Sequence, residues 1–255
     1  MKIATWNVNS LKVRLPHVLD WLEAWQPDIL ALQETKLIDD NFPAEEIRAA
    51  GYEAVYSGQK TFNGVAILSK FKALDIVTDI PDLEDPQRRI MAATIAGIRV
   101  INLYIPNGST VESDKYQYKL DWLDKVTNFI ANELKSHQKI VVVGDYNIAP
   151  EDIDVREPEK WAGQVLCTDA ERAVFKSWLT LGFKDTFRLF DQDEKSYSWW
   201  DYRMLAFRRN RGLRIDHILA SNVLAETCQS CIIDKEPRKL ERPSDHAPVI
   251  AEFRV

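Results

Sequence analysis

Six short polar motifs stand out in this chain of 255 residues. They are Trp6-Asn7-Val8-Asn9-Ser10, Leu32-Gln33-Glu34-Thr35-Lys36, Asn102 to Gly108, Gly144-Asp145-Tyr146-Asn147, Leu213 to His217, and Ser244-Asp245-His246-Ala247-Pro248. Each borders an apolar run. Asp, Asn and Glu are poor strand formers, and any one of them alone reads as a strand terminator or turn cap. Together they hold the residue types that a hard cation and a phosphodiester require. Carboxylate and amide oxygens suit Mg²⁺. Glu34, at the end of a buried run, is the leading candidate to hold the ion, with Asn7 and Asp245 completing or supporting the site. Zinc-type Cys and His spacing is absent. Phosphodiester hydrolysis also needs an activated water and stabilisation of charge on the phosphate. Asp145 can orient or deprotonate water, and Asn147 can hold it. His246 can bond a phosphate oxygen or act as an acid, with Asp216 fixing its tautomer. Tyr104 and Asn107 offer neutral donors to the phosphate. His17 and His137 read as surface residues. His217 should face away from its neighbour Asp216 by strand alternation and reads as structural.

These side chains must be positioned by strands and helices that alternate along the chain. Lys2 to Asn7, Asp28 to Leu32, Gly64 to Ser69, Ile98 to Ile105, Lys139 to Val143, Leu213 to Leu219 and Ala247 to Phe253 read as strands. Apolar residues at helical spacing predict helices from Arg14 to Trp25 and from Ser113 to Leu134. Thr168-Asp169-Ala170-Glu171 has the form of a capping box that opens a third helix. There is no linker, low-complexity segment or tandem short repeat, but each half repeats a strand ending in a polar motif, a helix and further strands. A layered α/β domain follows, with the motifs at strand ends, where such sheets place ligands.

Composition agrees and sets limits. Hydrophobic residues make up 45% and charged residues 28% of the chain, a mix that can build a sizeable core. No run approaches the roughly 20 apolar residues of a membrane span. The first residues read as a strand rather than a signal peptide, so a cytoplasmic protein is expected. Three cysteines are too few for a disulfide framework, and Cys167, Cys228 and Cys231 read as packing residues. The net charge of −6 does not suggest a polyanion ligand. Arg203 to Arg214, however, holds five arginines and no acid, a local patch of the kind that grips a phosphate backbone.

In order and spacing the motifs resemble the exonuclease III family of abasic-site (AP) endonucleases, within the endonuclease/exonuclease/phosphatase superfamily. The resemblance runs from Lys2 to Val249 and includes Asn63 to Ser69 and Tyr197 to Arg203. It implies one domain over residues 1–255 with a DNase I-like fold: a four-layer αββα sandwich of two mixed β-sheets flanked by helices. It implies Mg²⁺ or Mn²⁺ held chiefly by Glu34 with Asn7 nearby, water activated at Asp145 with Asn147, and an Asp216–His246 pair. Tyr104 and Asn107 would contact the phosphate, and Asp245 would lie near the metal. Trp199 would form one wall of a pocket for a sugar that has lost its base. Leu213 would close that pocket where some members carry an aromatic, and Arg203 with the following arginines would hold DNA. Asn9 stands where many members carry Asp, and the segment Glu157 to Val165 replaces an asparagine-containing loop. The implied activity is incision of duplex DNA 5′ to abasic sites and removal of 3′ blocking groups or nucleotides, by a monomer and without a membrane. A phosphatase of inositol phosphates would instead be expected to carry basic substrate loops in place of Ser198 to Tyr202. A non-catalytic binding module would be expected to lack Glu34, Asp145, Asn147, Asp216 or His246, and all are present.

Overall fold

β-branched and aliphatic runs become strands, and apolar residues spaced three and four apart become helices. In chain order the elements are β1 (Lys2–Asn7), α1 (Leu11–Trp25), β2 (Ile29–Gln33), α2 (Ala44–Ala49), β3 (Glu53–Ser57) and β4 (Val65–Ser69). Next come β5 (Ala73–Val77), β6 (Ile90–Ile95), β7 (Ile98–Tyr104), α3 (Asp114–Ser136), β8 (Ile140–Asp145) and α4 (Pro158–Trp161). The chain ends with α5 (Asp169–Leu181), β9 (Phe183–Asp185), β10 (Asp216–Ser221), α6 (Asn222–Ala225), β11 (Cys228–Ile233) and β12 (Val249–Phe253). The computed structural model describes residues 1–81 and 83–255.

The strands form two six-stranded sheets, ordered β11-β12-β1-β2-β4-β3 and β5-β6-β7-β8-β10-β9. Each sheet contains a parallel pair, β1 with β2 and β7 with β8, among antiparallel neighbours. Side chains from the two inner faces, among them Ile3, Ala31, Ile67, Met91, Val141 and Val143, form one core between the sheets. α3 and α5 cover the outer face of the second sheet through Leu123, Val126, Ile130, Phe175 and Trp178. α1 and α2 cover the first through Val18, Leu22 and Ile47. The result is the four-layer αββα sandwich with mixed sheets. Both faces of the central strands are buried, so they read as unbroken apolar runs. A polar tie also crosses the central core. Asn102 on β7 donates to the carbonyls of Leu32 and Ala66 at 2.9 Å each, and its own carbonyl accepts from Gln33 at 2.7 Å.

Several boundaries differ from the sequence reading for identifiable reasons. α1 begins at Leu11, before Arg14, because Ser10 N–H and Leu11 N–H donate to the carbonyls of Glu34 and Thr35 at 2.7 and 3.0 Å. Its first turn is capped by the loop that carries Glu34. The capping box of α5 is present, with Thr168 and Glu171 side chains each accepting from the other's backbone. β10 starts at Asp216, because Leu213 turns away to bridge Val155 and Trp199. His17 and His137 are half-buried rather than surface residues. Cys228 and Cys231 lie on β11 as free thiols, and Cys167 packs into a small core.

Arg214 corrects the sequence reading of the arginine run. It is only 1% exposed and donates to Asp154 at 2.7 Å and to Asp185 at 2.8 and 3.2 Å. An inward β10 neighbour and two buried acids make it an internal strut, so it cannot touch a ligand. Arg203, Arg208, Arg209 and Arg211 remain exposed. Arg214 also lies 3.0 Å from His217 Nδ1. A guanidinium only donates, so Nδ1 must accept, and Nε2–H donates to the Ile148 carbonyl at 2.9 Å. His217 is therefore a neutral structural residue. Burial, and then Arg214, push its pKa from 6.5 down to about 4. Between those values the unfolded chain binds a proton that the folded chain refuses. The stability is intact above the unfolded pKa and is lost as pH falls toward the folded one. Urea titrations at about pH 7 and pH 5 should differ by roughly 2 kcal/mol from this source. His217→Gln should remove that part of the pH slope, and an unchanged slope would contradict the assignment.

Candidate active site

The two parallel pairs run in register to Asn7 opposite Gln33 and to Tyr104 opposite Asp145. Their C-terminal ends deliver polar residues from both sheets to one place. Gly144 makes this possible on the second sheet. Its φ is +144°, and a Cβ there would lie 1.9 Å from the Leu103 carbonyl oxygen, so only glycine allows β7 and β8 to approach just before Asp145. Backbone strain gathers here as well: Asn9, Glu34, Lys36 and Asn147 hold φ of 45°, 52°, 55° and 48°. Positive φ in non-glycine residues is uncommon and persists where surrounding contacts enforce it.

Asn7 joins the two halves. Its amide nitrogen donates to Glu34 Oε1 and to Asp145 Oδ2, both at 2.9 Å. Its amide oxygen accepts from Asn9 N–H at 3.0 Å. Asn7 thus serves as a tie between the two carboxylates. Asp145 further accepts from Asn147 N–H at 2.9 Å and from its side-chain amide at 3.3 Å. Asn107 in turn donates to the Asn147 amide oxygen at 3.0 Å. Burial pushes the Asp145 pKa up to about 7, against the opposing pull of His246. A carboxylate poised near neutrality suits proton abstraction from water.

Asp216 on β10 is registered opposite Asp145 on β8. His246 Nδ1 lies 2.9 Å from Asp216 Oδ2, and Nε2 lies 3.7 Å from Asp145 Oδ2. Ser198 fixes the far side of Asp216, donating to Oδ2 at 2.6 Å while accepting from Ile215 and Asp216 N–H at 3.0 Å each. Burial alone would lower the His246 pKa, but Asp216, Asp145 and Asp245 outweigh it and raise it to about 10. His246 is therefore an imidazolium near neutral pH, with Nε2–H free to donate. Tyr104 sits beside Glu34 with its pKa raised well above the usual value, chiefly by burial. Its ring faces the Arg89 guanidinium, 4.6 Å from the centroid.

Asp245 has other duties than its neighbour. One oxygen accepts from Trp199 Nε1 at 3.0 Å and the other from Asn9 at 2.9 Å. Burial would raise its pKa, yet His246, Trp199 and Asn9 hold it below the usual carboxylate range. The structure brings Asp245 to the site as the anchor of the Trp199 ring. Trp199, Val165, Leu166, Ile215 and Trp161 form the apolar walls of a cavity of about 340 Å³ whose polar floor is Glu34, Asp145, Asn147 and His246. Arg203 reaches its rim and is also paired with Asp201 at 2.6 Å. Ile215 lines this cavity, and Leu213 lines an adjoining apolar cavity that shares Trp161, Trp199 and Arg203 with it. Trp200 is fully buried in a separate core.

Sequence reasoning missed Lys36, Ser198 and Lys119. Lys36 lies inside a motif already singled out, and its Nζ bonds Glu34 Oε2 at 2.9 Å and Asn9 Oδ1 at 2.5 Å. Ser198 carried no signal beyond its place before Trp199. Lys119 could have been found as a lysine on the apolar stripe of α3.

Among the described residues, Glu34, Asp145 and His246 form the group whose ligand atoms lie within 4.8 Å of one another. Glu34 and Asp145 offer hard oxygen atoms, whereas a protonated His246 cannot ligate. The Lys36 ammonium on Glu34 marks a point where positive charge is already welcome. This donor set fits a small hard cation.

The chain belongs to the Endonuclease/Exonuclease/phosphatase family, whose model matches residues 4–246. It is 37% identical to "Exodeoxyribonuclease III" of Haemophilus influenzae over the full length of both chains. The solved 3′ phosphatase NExo from Neisseria, bound to product DNA hairpin, superposes with a TM-score of 0.98 at 49% identity, again covering both chains fully. An AP endonuclease from Archaeoglobus fulgidus gives 0.96 at 41% identity with the same coverage. Within the family, the chain falls in the exonuclease III group of AP endonucleases, and it is a hydrolytic nuclease.

Asp216→Asn keeps the shape of the His246 partner and removes its charge. Turnover should fall by about 10² to 10³, the range that loss of one charge-stabilising donor costs, with DNA affinity little changed. Wild-type turnover in a folded variant would show that the reaction does not depend on the His246 imidazolium.

Proposed function

We propose that this chain is a Mg²⁺-dependent DNA-repair phosphodiesterase that cuts duplex DNA on the 5′ side of abasic sites and clears 3′-phosphates, other 3′ blocks and terminal nucleotides. All of these reactions break the bond between phosphorus and the 3′ oxygen and leave a 3′-hydroxyl, so one site can perform them. The observation that carries the reading is the cavity itself: a floor of Glu34, Asp145, Asn147 and His246 under apolar walls that include Trp199. Its volume, about 340 Å³, is at the low end for ligand pockets. That size suits a sugar and phosphate without a base.

Glu34 would hold Mg²⁺, or Mn²⁺ in its place, and Asn9 and Lys36 would border it. When bound, the cation supplies positive charge to the phosphate and to the departing 3′ oxygen. The chain's own groups supply the rest. Asp145 takes a proton from the attacking water, which the Asn147 amide helps to orient, and the departing 3′ oxygen takes a proton from solvent to become the 3′-hydroxyl. His246 Nε2–H donates to a non-bridging phosphate oxygen, and its positive charge offsets the charge that develops there. The Tyr104 hydroxyl and the Asn107 amide add neutral donors. Trp199, fixed by Asp245, packs against the deoxyribose. The exposed Arg203, Arg208, Arg209 and Arg211 are suited to the DNA backbone beyond the cavity.

Two labelled duplexes test the reading, one with a single abasic site and one with a nick bearing a 3′-phosphate. Both should yield 3′-hydroxyl ends with Mg²⁺, none with chelator, and recover when Mg²⁺ or Mn²⁺ is restored. Glu34→Gln should raise the Mg²⁺ concentration needed for half-maximal rate. If neither duplex is processed in a metal-dependent way, the proposal fails. If only one is, the rates assign the preferred lesion.

A further inference from the structure

Lys119 lies on α3 among Tyr116, Trp122, Leu123 and Val126, and its side chain has 0% exposure. An ammonium has three donors, and here each has a partner. Nζ donates to the Asn147 carbonyl at 2.7 Å, to the Asn107 carbonyl at 3.2 Å and to Glu171 Oε1. Glu171, on α5, is equally buried. Its Oε1 also accepts from Leu166 N–H at 3.0 Å, and its Oε2 accepts from Thr168 N–H at 3.0 Å and from the Thr168 hydroxyl at 2.7 Å. The Leu166 carbonyl accepts from Ala149 N–H at 2.8 Å.

One ion pair therefore grips three separate segments: the turn after β7 with Asn107, the turn after β8 with Asn147, and the approach to α5 with Leu166. All three residues line the same cavity, while Lys119 and Glu171 do not. Asn147 and Leu166 hold φ of 48° and 80°, conformations that need such external bonds. Stability alone does not account for the pair. Burying two charges is costly, and well-packed apolar replacements are often neutral or better. Burial pulls the Lys119 pKa down, and Glu171 opposes that fall.

We infer that Lys119, held by Glu171, is a positioning residue for phosphodiester hydrolysis. It sets Asn107 and Asn147 at their places beside Asp145 and, through Glu171, locks Leu166 as a wall of the cavity. The inference rests on the phosphodiesterase reading of that cavity. It predicts an effect on turnover rather than on DNA grip, because the exposed arginines are untouched.

Lys119→Met and the double variant Lys119→Met/Glu171→Met separate positioning from stability. The single variant leaves a buried carboxylate unpaired and should lower Tm. The double variant removes both charges and should recover much of that loss. Steady-state rates on the duplex that wild type processes are taken at a temperature where circular dichroism shows every variant folded. The expected result is kcat lowered by about 10²-fold in both variants, with KM within a few-fold of wild type. If kcat returns together with Tm in the double variant, or if KM alone changes, the inference is overturned. It is also overturned if Lys119→Met turns over at the wild-type rate. An inactive wild type would instead defeat the functional reading, and the inference with it.

Discussion

The Asn7 amide is the contact on which the site depends. It ends a strand of one sheet and donates at once to Glu34, from the same sheet, and to Asp145, from the other. Two carboxylates this close would repel, and the amide's two N–H groups are the minimal means of holding both without adding a charge. The arrangement leaves one oxygen of each carboxylate clear of Asn7: Glu34 Oε2, which Lys36 pairs, and Asp145 Oδ1, which accepts from Asn147 N–H. It works only if the sheets face each other at fixed distance, which the Asn102–Gln33 tie through the central core secures.

Electrostatics then divide the labour. Asp145 and His246 are both buried and face each other, yet their pKa values are driven to about 7 and about 10. Burial dominates for the carboxylate. For the imidazole, a ring of Asp216, Asp145 and Asp245 overcomes burial. The outcome is a carboxylate able to accept a proton beside a cation able to stabilise phosphate charge. Ser198 and the backbone N–H groups it accepts from keep Asp216 aimed at Nδ1, so the charge ring is also an orienting device. The same logic recurs away from the chemistry, where Arg214 is neutralised by Asp154 and Asp185 and keeps His217 uncharged.

How much of this was legible depends on what each residue's signal measures. Central strands are buried on both faces and give unbroken apolar runs, so β1, β2, β4, β7, β8 and β12 were read within a few residues. The strands that escaped include all four sheet edges, β3, β5, β9 and β11. Edge strands are short or carry polar residues, as exposed edges must, and so lose the pattern. Site residues were legible because polar types at the ends of apolar runs are conspicuous. Partners were not: Arg214 looked like a surface cation because its acids, Asp154 and Asp185, are distant in sequence.

By itself, the sequence determined which residues could do the chemistry, the alternating α/β order and the capping of α5, since these follow from residue type and local spacing. It also carried the family resemblance, through motifs whose order survives without any knowledge of contacts. Tertiary structure alone decided what each polar atom faces. It turned Asn7 into a tie, Asp245 into the anchor of Trp199, Arg214 into a strut and Lys119 into a hub. It also set Ile215 with Trp199 in the cavity over the acids and Leu213 with Trp199 in the adjoining apolar one. The physical reason is that a side chain's role is set by its desolvation and by partners brought from far along the chain, neither of which is a property of local sequence.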